Sequence, residues 1–379
     1  MAGMGAYRPT PVKWEERILL PKWKRSRSHS VWGHVGRQLG QGVIMLARFY
    51  SVDYLKLFLA IGVVFGHSIL INNHLVGWSF VTGIGLLRSM VPAFSILSGF
   101  LLFFIHQRGK TNKWLSGLVF LYVFWTVFYA PMWMRGDMPW SEALWNMFWG
   151  PMHLWYVAGL LHAALILLAL LWVGERTGSG VKPLIVGAVL AGILEITLAV
   201  MTFAPIWQLS TEVVRNGLTV IFPFAAIGYL IAKFVAERGI EALPRTSVVW
   251  TLVFVLFTLR LFEASISFFM YGPKLPAIPE LPLLSYPAVA LLFIGFLRLD
   301  LPKPAVDLSL WSSSIYFLHI FLIQVMRHFG IDNIWIYLLV GVVGSVLVAE
   351  VFVLLRPVLM RYWKTAVATR TSKAPMQEP

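Results

Sequence analysis

The segment Asp53-Tyr-Leu-Lys56, followed after ten residues by His67, puts a carboxylate, an ammonium and an imidazole in one apolar stretch. Eleven steps of about 100° make three turns plus roughly 20°, so on a helix Lys56 and His67 share a face, about 16 Å apart along the axis. Asp53 lies one turn before Lys56 and can pair with it. Imidazole exchanges its proton near neutral pH, so His67 is a candidate general base. Each part also has a plainer reading. Asp53 and Lys56 can be an interfacial ion pair with a snorkelling lysine, and a single histidine can be a packed, hydrogen-bonded residue. Their shared face favours chemistry.

Other polar residues fall in apolar blocks, where ionisable groups are costly and point to function. Arg88, toward the end of a block, is a candidate oxyanion stabiliser. Ser98 and Tyr316 can orient groups, although Ser98-Gly99 also reads as a small-residue contact between helices. His153 and Trp155 read equally as substrate contacts or as an interfacial anchor. His319 reads as a substrate contact or a packed residue, and Arg215 as a sugar or lipid-headgroup contact. Glu195, Arg260 and Glu263 are structural pairs or acceptor contacts. There is no cysteine, hence no disulfide, thiolate metal site or cysteine nucleophile. No metal site is expected.

These residues need helices to position them. The chain is 58% hydrophobic and 13% charged, against about 25% charged in soluble domains. Apolar blocks of about 20 residues match the bilayer core. They place spans near 52–71, 80–105, 114–134, 153–173, 183–203, 214–235, 247–268, 283–299, 308–326 and 333–355. The expected fold is an all-α polytopic transmembrane helical bundle of about ten spans with both termini cytoplasmic. Continuous apolar runs exclude a β-barrel, which needs alternation. With the N-terminus inside, the inside segments carry 24 Lys and Arg and the outside loops three, as the positive-inside rule requires.

The net charge of +14 lies between apolar blocks rather than on one soluble face, which argues against nucleic acid. Three regions are expected: a basic cytoplasmic arm over 1–51, a stretch of which can lie on anionic lipid; a membrane domain over 52–356; and a disordered cytoplasmic tail over 357–379. No secretory signal peptide is visible.

The segment from Asp53 through Lys56 to His67 resembles the opening helix of the acyltransferase-3 family, in which Arg or Lys, ten residues and His follow an Asp. Val91-Pro-Ala-Phe-Ser-Ile-Leu-Ser98-Gly99-Phe100 is similar to the family's FFxLSGF helix, and His153-Leu-Trp155-Tyr156 to its HLWF block. Leu308-Ser-Leu-Trp-Ser-Ser-Ser314-Ile-Tyr316-Phe-Leu-His319 is similar to SYxIYLxH. The four blocks stand in the family's order. The family's cytoplasmic Arg-x-x-Arg is here Lys110-Thr-Asn-Lys113 beside Arg108; lysine binds phosphate as a point charge, without the guanidinium fork.

The resemblance implies a multi-pass protein of the cell inner membrane that moves an acyl group from cytoplasmic acyl-CoA to a hydroxyl of an exopolysaccharide, cell-wall or lipid-linked sugar. The donor is acetyl-CoA or another short acyl-CoA. Arg108, Lys110, Lys113 and Ser98 are the expected donor-binding residues, with Lys56 at the mouth. His153, Trp155, Arg215, Tyr316 and His319 are expected to contact the acceptor. Membrane lipid and a polysaccharide-synthesis complex are the expected further partners. The rival readings are a secondary transporter or flippase, and a non-catalytic scaffold.

Overall fold

The computed structural model describes residues 49–72, 76–203, 214–272 and 284–372; residues 1–48 of the expected basic arm and 373–379 of the tail lie outside them. Among the described residues the regular structure is helical, with no strand. The helices are α1 (Tyr50–Ile71), α2 (Trp78–Gly85), α3 (Met90–Gln107), α4 (Thr111–Phe128), α5 (Trp140–Trp149), α6 (Trp155–Arg176), α7 (Lys182–Phe203), α8 (Phe222–Arg238), α9 (Thr246–Tyr271), α10 (Ser285–Leu297), α11 (Leu308–His328), α12 (Ile334–Leu339) and α13 (Ser345–Ser372). Local chemistry sets several ends. Pro92 and Pro223 sit in the first turns of α3 and α8, where a missing N–H costs nothing. Gly109 and Gly239, at φ +65° and +80°, stop the chain just past the far ends.

A helix lies at each of the ten expected positions. Eight helical segments are long and apolar enough to cross a membrane, and α4 and α10 are not among them. Helix α10 has 13 residues, about 20 Å of rise against a hydrocarbon core of about 30 Å. The faces of the bundle are apolar. The α9 segment Thr246–Met270 has mean hydropathy 1.9 with 17% of it buried, and Phe254, Phe262 and Phe269 stand exposed. Water would not tolerate such a face, and lipid covers it at no cost. The chain is a multi-pass membrane bundle.

Four features depart from the sequence reading. The span expected over 80–105 is interrupted by a 3-10 turn, Leu87–Ser89, between α2 and α3. Gly85 packs against the backbone of Leu261, and Ser89 accepts a hydrogen bond from the buried Arg260, so α9 holds the break in place. Single π turns, Gly217–Ile221 and Val340–Gly344, interrupt the sixth and tenth expected spans. The last helix runs to Ser372, past the expected end at 355, so the expected disordered tail is helical up to that residue. The loop before His153 holds an unforeseen helix, α5, whose Trp140, Leu144, Trp145 and Phe148 are exposed, the pattern of a helix lying in a membrane interface.

Two packing relations set the frame of the site. Helices α3 and α8 cross backbone to backbone. A Cβ on Gly99 would lie 1.8 Å from the Ala225 carbonyl oxygen, and one on Gly228 would lie 1.8 Å from that of Ile96. Four residues further along both helices Phe103 meets Tyr229, ring centres 5.2 Å apart, so the two run parallel. Helices α1 and α3 run antiparallel, since Phe49 packs on Phe100 while Gly62 faces Met90.

Candidate active site

Helices α1 and α11 are fastened at two levels. At the first, Lys56 Nζ donates to Asp53 Oδ1 at 3.1 Å and to Ser309 Oγ at 3.0 Å, and Ser309 Oγ donates to Asp53 Oδ1 at 2.9 Å. Asp53 is buried, so the lysine and hydroxyl supply the pairing that an interior carboxylate requires. Ser309 was not singled out from the sequence; its spacing of ten from His319, next to eleven between Lys56 and His67, was the available signal.

At the second level the His319 Nε2 and His67 Nδ1 atoms lie 3.0 Å apart, and His319 Nδ1 lies 2.8 Å from the Ile315 carbonyl oxygen. A carbonyl only accepts, so His319 Nδ1 carries a proton. In the neutral ring His319 Nε2 is then the acceptor, and His67 Nδ1 donates to it. That assignment leaves His67 Nε2 with its lone pair, the form a general base needs. The pair forms because α1 and α11 run parallel. The π turn helps: Gly341 has no side chain where a Cβ would meet Val64 at 2.7 Å and His319 Cβ at 3.4 Å, so α12 and α13 close over the pair.

A hydroxyl is built into α11 around His319. Tyr129 Oη donates to the Phe317 carbonyl at 2.6 Å and accepts from the Phe321 N–H at 3.2 Å. These are the two ends of one helical hydrogen bond, so the tyrosine is inserted into the ladder. Trp125 stacks on Phe317 at 4.8 Å and 4° and holds that insertion.

His153 adjoins this group. Its ring centre lies 5.4 Å from that of His319 and 4.8 Å from Tyr129. It is buried, yet neither ring nitrogen has a hydrogen-bond partner among the described residues. An unsatisfied buried donor costs about 1–3 kcal/mol. The turn that delivers it is strained: Met152, at φ +56°, is the one non-glycine with positive φ among the described residues. Gly150, at φ +89°, lets the Trp155 backbone come within 2.5 Å of where a Cβ would be. Tyr316 Oη donates to the His153 carbonyl at 2.8 Å. Ser98 Oγ and Tyr156 Oη are hydrogen-bonded at 3.1 Å.

His67 lines a partly open cleft of about 790 Å³, at the Asn72 end of α1. Arg88 enters it from the break between α2 and α3, and Trp155 and Arg215 from the far wall. The Arg215 guanidinium lies 4.8 Å over the Trp155 ring. The lining reaches Gly62 but not Lys56. Between Lys56 and Gly62, Leu59 and Ala60 are buried. Arg108, Lys110 and Lys113 are exposed at the other end, beyond the α3 terminus that packs by Phe49. Lys110 and Lys113 border a separate groove of about 810 Å³ with Trp114 and Gly117. Glu195 and Arg260 are buried away from the cleft lining.

If His319 acts through His67, its loss should not add to the loss of His67. His319→Gln is expected to lower turnover by up to about 10⁴-fold, the scale of mis-setting a catalytic imidazole. The double variant with His67→Ala should be no slower than His67→Ala alone. Independent, multiplying losses would remove His319 from this role.

The class defined here is a multi-pass helical membrane enzyme with a hydrogen-bonded imidazole pair at a cationic cleft. The chain belongs to the acyltransferase-3 family, whose acyltransferase-domain profile matches residues 49–354. It is a membrane acyltransferase, and the matched region contains both fastenings and the cleft. No curated protein and no solved structure gives a significant match to the chain.

Proposed function

We propose that the protein transfers a short acyl group, acetyl in the first instance, from cytoplasmic acyl-CoA to a hydroxyl of a bacterial exopolysaccharide or another cell-surface or lipid-linked glycan. The observation that carries this reading is the His67–His319 pair, which leaves an acceptor nitrogen on a ring lining the cleft. The acceptor hydroxyl gives its proton to His67 Nε2 as its oxygen bonds to the thioester carbonyl carbon. Arg88 neutralises the oxyanion. The C–S bond then breaks, the thiolate takes the proton from His67, and the products are the ester and free CoA. A covalent acyl-His67 would split the same transfer into two steps.

The exposed Arg108, Lys110 and Lys113 suit the phosphates of CoA, with the Lys56 clamp at the same end. His67 lies about 16 Å beyond Lys56, a distance of the order of a pantetheine arm. Entry of that arm requires the packing around Leu59 and Ala60 to open. Chain direction supports ten spans. The parallel run of α3 and α8 needs an odd number of crossings between them, which counts α4 as one. The parallel run of α1 and α11 then counts α10 as well. The positive-inside count puts both termini in the cytoplasm of the inner membrane, where a polysaccharide-synthesis complex would supply the acceptor.

The test is compositional. A strain lacking the protein should lose one class of alkali-labile ester from its surface or secreted glycan. The intact chain should restore it and His67→Ala should not. Unchanged ester content in the deleted strain would overturn this reading.

A further inference from the structure

We infer that the cleft selects an acceptor bearing an anionic group, a carboxylate first of all, and that Arg215 is the residue that reads it; this rests on the acyl-transfer reading above. The guanidinium of Arg215 lies over the Trp155 ring, 4.8 Å from its centre. A cation–π contact uses none of the guanidinium's N–H hydrogen bonds, so its donors remain for the bidentate match to a carboxylate. Those donors make no hydrogen bond or ion pair with any described residue, while the residue lines the same cleft as His67. Arg88 adds a second cation to the wall, and none of the described residues lining the cleft is acidic. Much of the rest of the wall is apolar, including Ile69, Leu70, Ile84 and Val220.

The selectivity follows from desolvation. A sugar entering the cleft displaces water from the guanidinium. A neutral sugar replaces those hydrogen bonds poorly and leaves a charge uncompensated among apolar side chains. A carboxylate replaces them with two charge-assisted bonds. The Trp155 ring limits the guanidinium's freedom, so less entropy is lost on binding. Transfer to a single neutral hydroxyl develops one oxyanion, for which Arg88 is already present; a second cation is in excess of that chemistry. The charge belongs to the acceptor rather than the donor because the cleft sits at the Asn72 end of α1, opposite the end that gathers Arg108, Lys110 and Lys113.

The full-length protein in phosphatidylcholine vesicles, supplied with acetyl-CoA, decides the matter. The probes are oligosaccharides ending in glucuronic acid and the same oligosaccharides with the carboxyl reduced to the alcohol. Both equilibrium binding and acyl transfer are measured. The wild type should prefer the acidic probe on the order of 100-fold, the scale of a truncated buried charge pair. Arg215→Gln should narrow that ratio to within about threefold, and Arg215→Lys should recover part of it as a point charge. Equal binding of the two probes by the wild type, or an unchanged ratio in Arg215→Gln, overturns the inference. Acylation of neither probe tells against the acyl-transfer reading, and the binding ratio still decides the role of Arg215. Vesicles containing phosphatidylglycerol separate the other source of an anion. If the wild type gains thermal stability from that lipid, Arg215→Gln does not, and the probes bind equally, the partner is a lipid phosphate and the acceptor assignment fails.

Discussion

Replacing His67 by alanine should remove acyl transfer while the protein still accumulates in the membrane. A positioned general base contributes about 10²–10⁴-fold, and loss of a covalent acyl carrier would be complete. Two features make His67 the residue to test. It is hydrogen-bonded through Nδ1 to a partner whose own tautomer is fixed by a backbone carbonyl. It also lines the cleft that contains Arg88 and Arg215. His67→Gln separates fastening from chemistry, since an amide can hydrogen-bond His319 but cannot take a proton. It should keep the thermal stability of the wild type and the inactivity of His67→Ala. Radiolabelled acyl transfer by either variant within twofold of the wild type would end the catalytic assignment. Isolation of a wild-type protein carrying one acyl group on His67 would decide for the two-step route.

The second large effect is on stability. Gly99→Ala or Gly228→Ala should prevent α3 and α8 from closing. Either Cβ would fall 1.8 Å from a carbonyl oxygen of the other helix, and that oxygen belongs to backbone that cannot rotate away. Ordinary overpacking costs about 1–3 kcal/mol; a backbone clash should exceed this, lowering both yield and unfolding temperature. Gly117→Ala is the control. A Cβ there meets nothing within 4 Å, so the change should be neutral or favourable by up to about 1 kcal/mol, as for Gly to Ala in a helix. Equal unfolding temperatures for Gly99→Ala and Gly117→Ala would show that the close crossing does not limit stability.

Much of this architecture could be read from the chain because lipid enforces a simple code. Each apolar block of about 20 residues is helical, all but the last ending within a few residues of its expected place, and the shared face of Lys56 and His67 followed from periodicity alone. The alternative reading of Ser98-Gly99 as a helix contact matches the crossing seen at Gly99. The interruptions escaped notice because tertiary contacts make them. The break at Leu87–Ser89 depends on Ser89 meeting Arg260 of α9, and no local pattern marks that meeting. Ser309 and Tyr129 went unremarked because a lone hydroxyl in an apolar helix carries little signal until its partner is known.

The pairing of His67 with His319 has a consequence for biosynthesis. The two rings are 252 positions apart in the chain, and α11 follows nearly all the other helices. A nascent protein with only its early helices inserted holds one ring without its mate. On the proposed mechanism, acylating power would therefore arrive late in translation and all at once. Fragments left by premature termination would sit in the bilayer as inert bystanders.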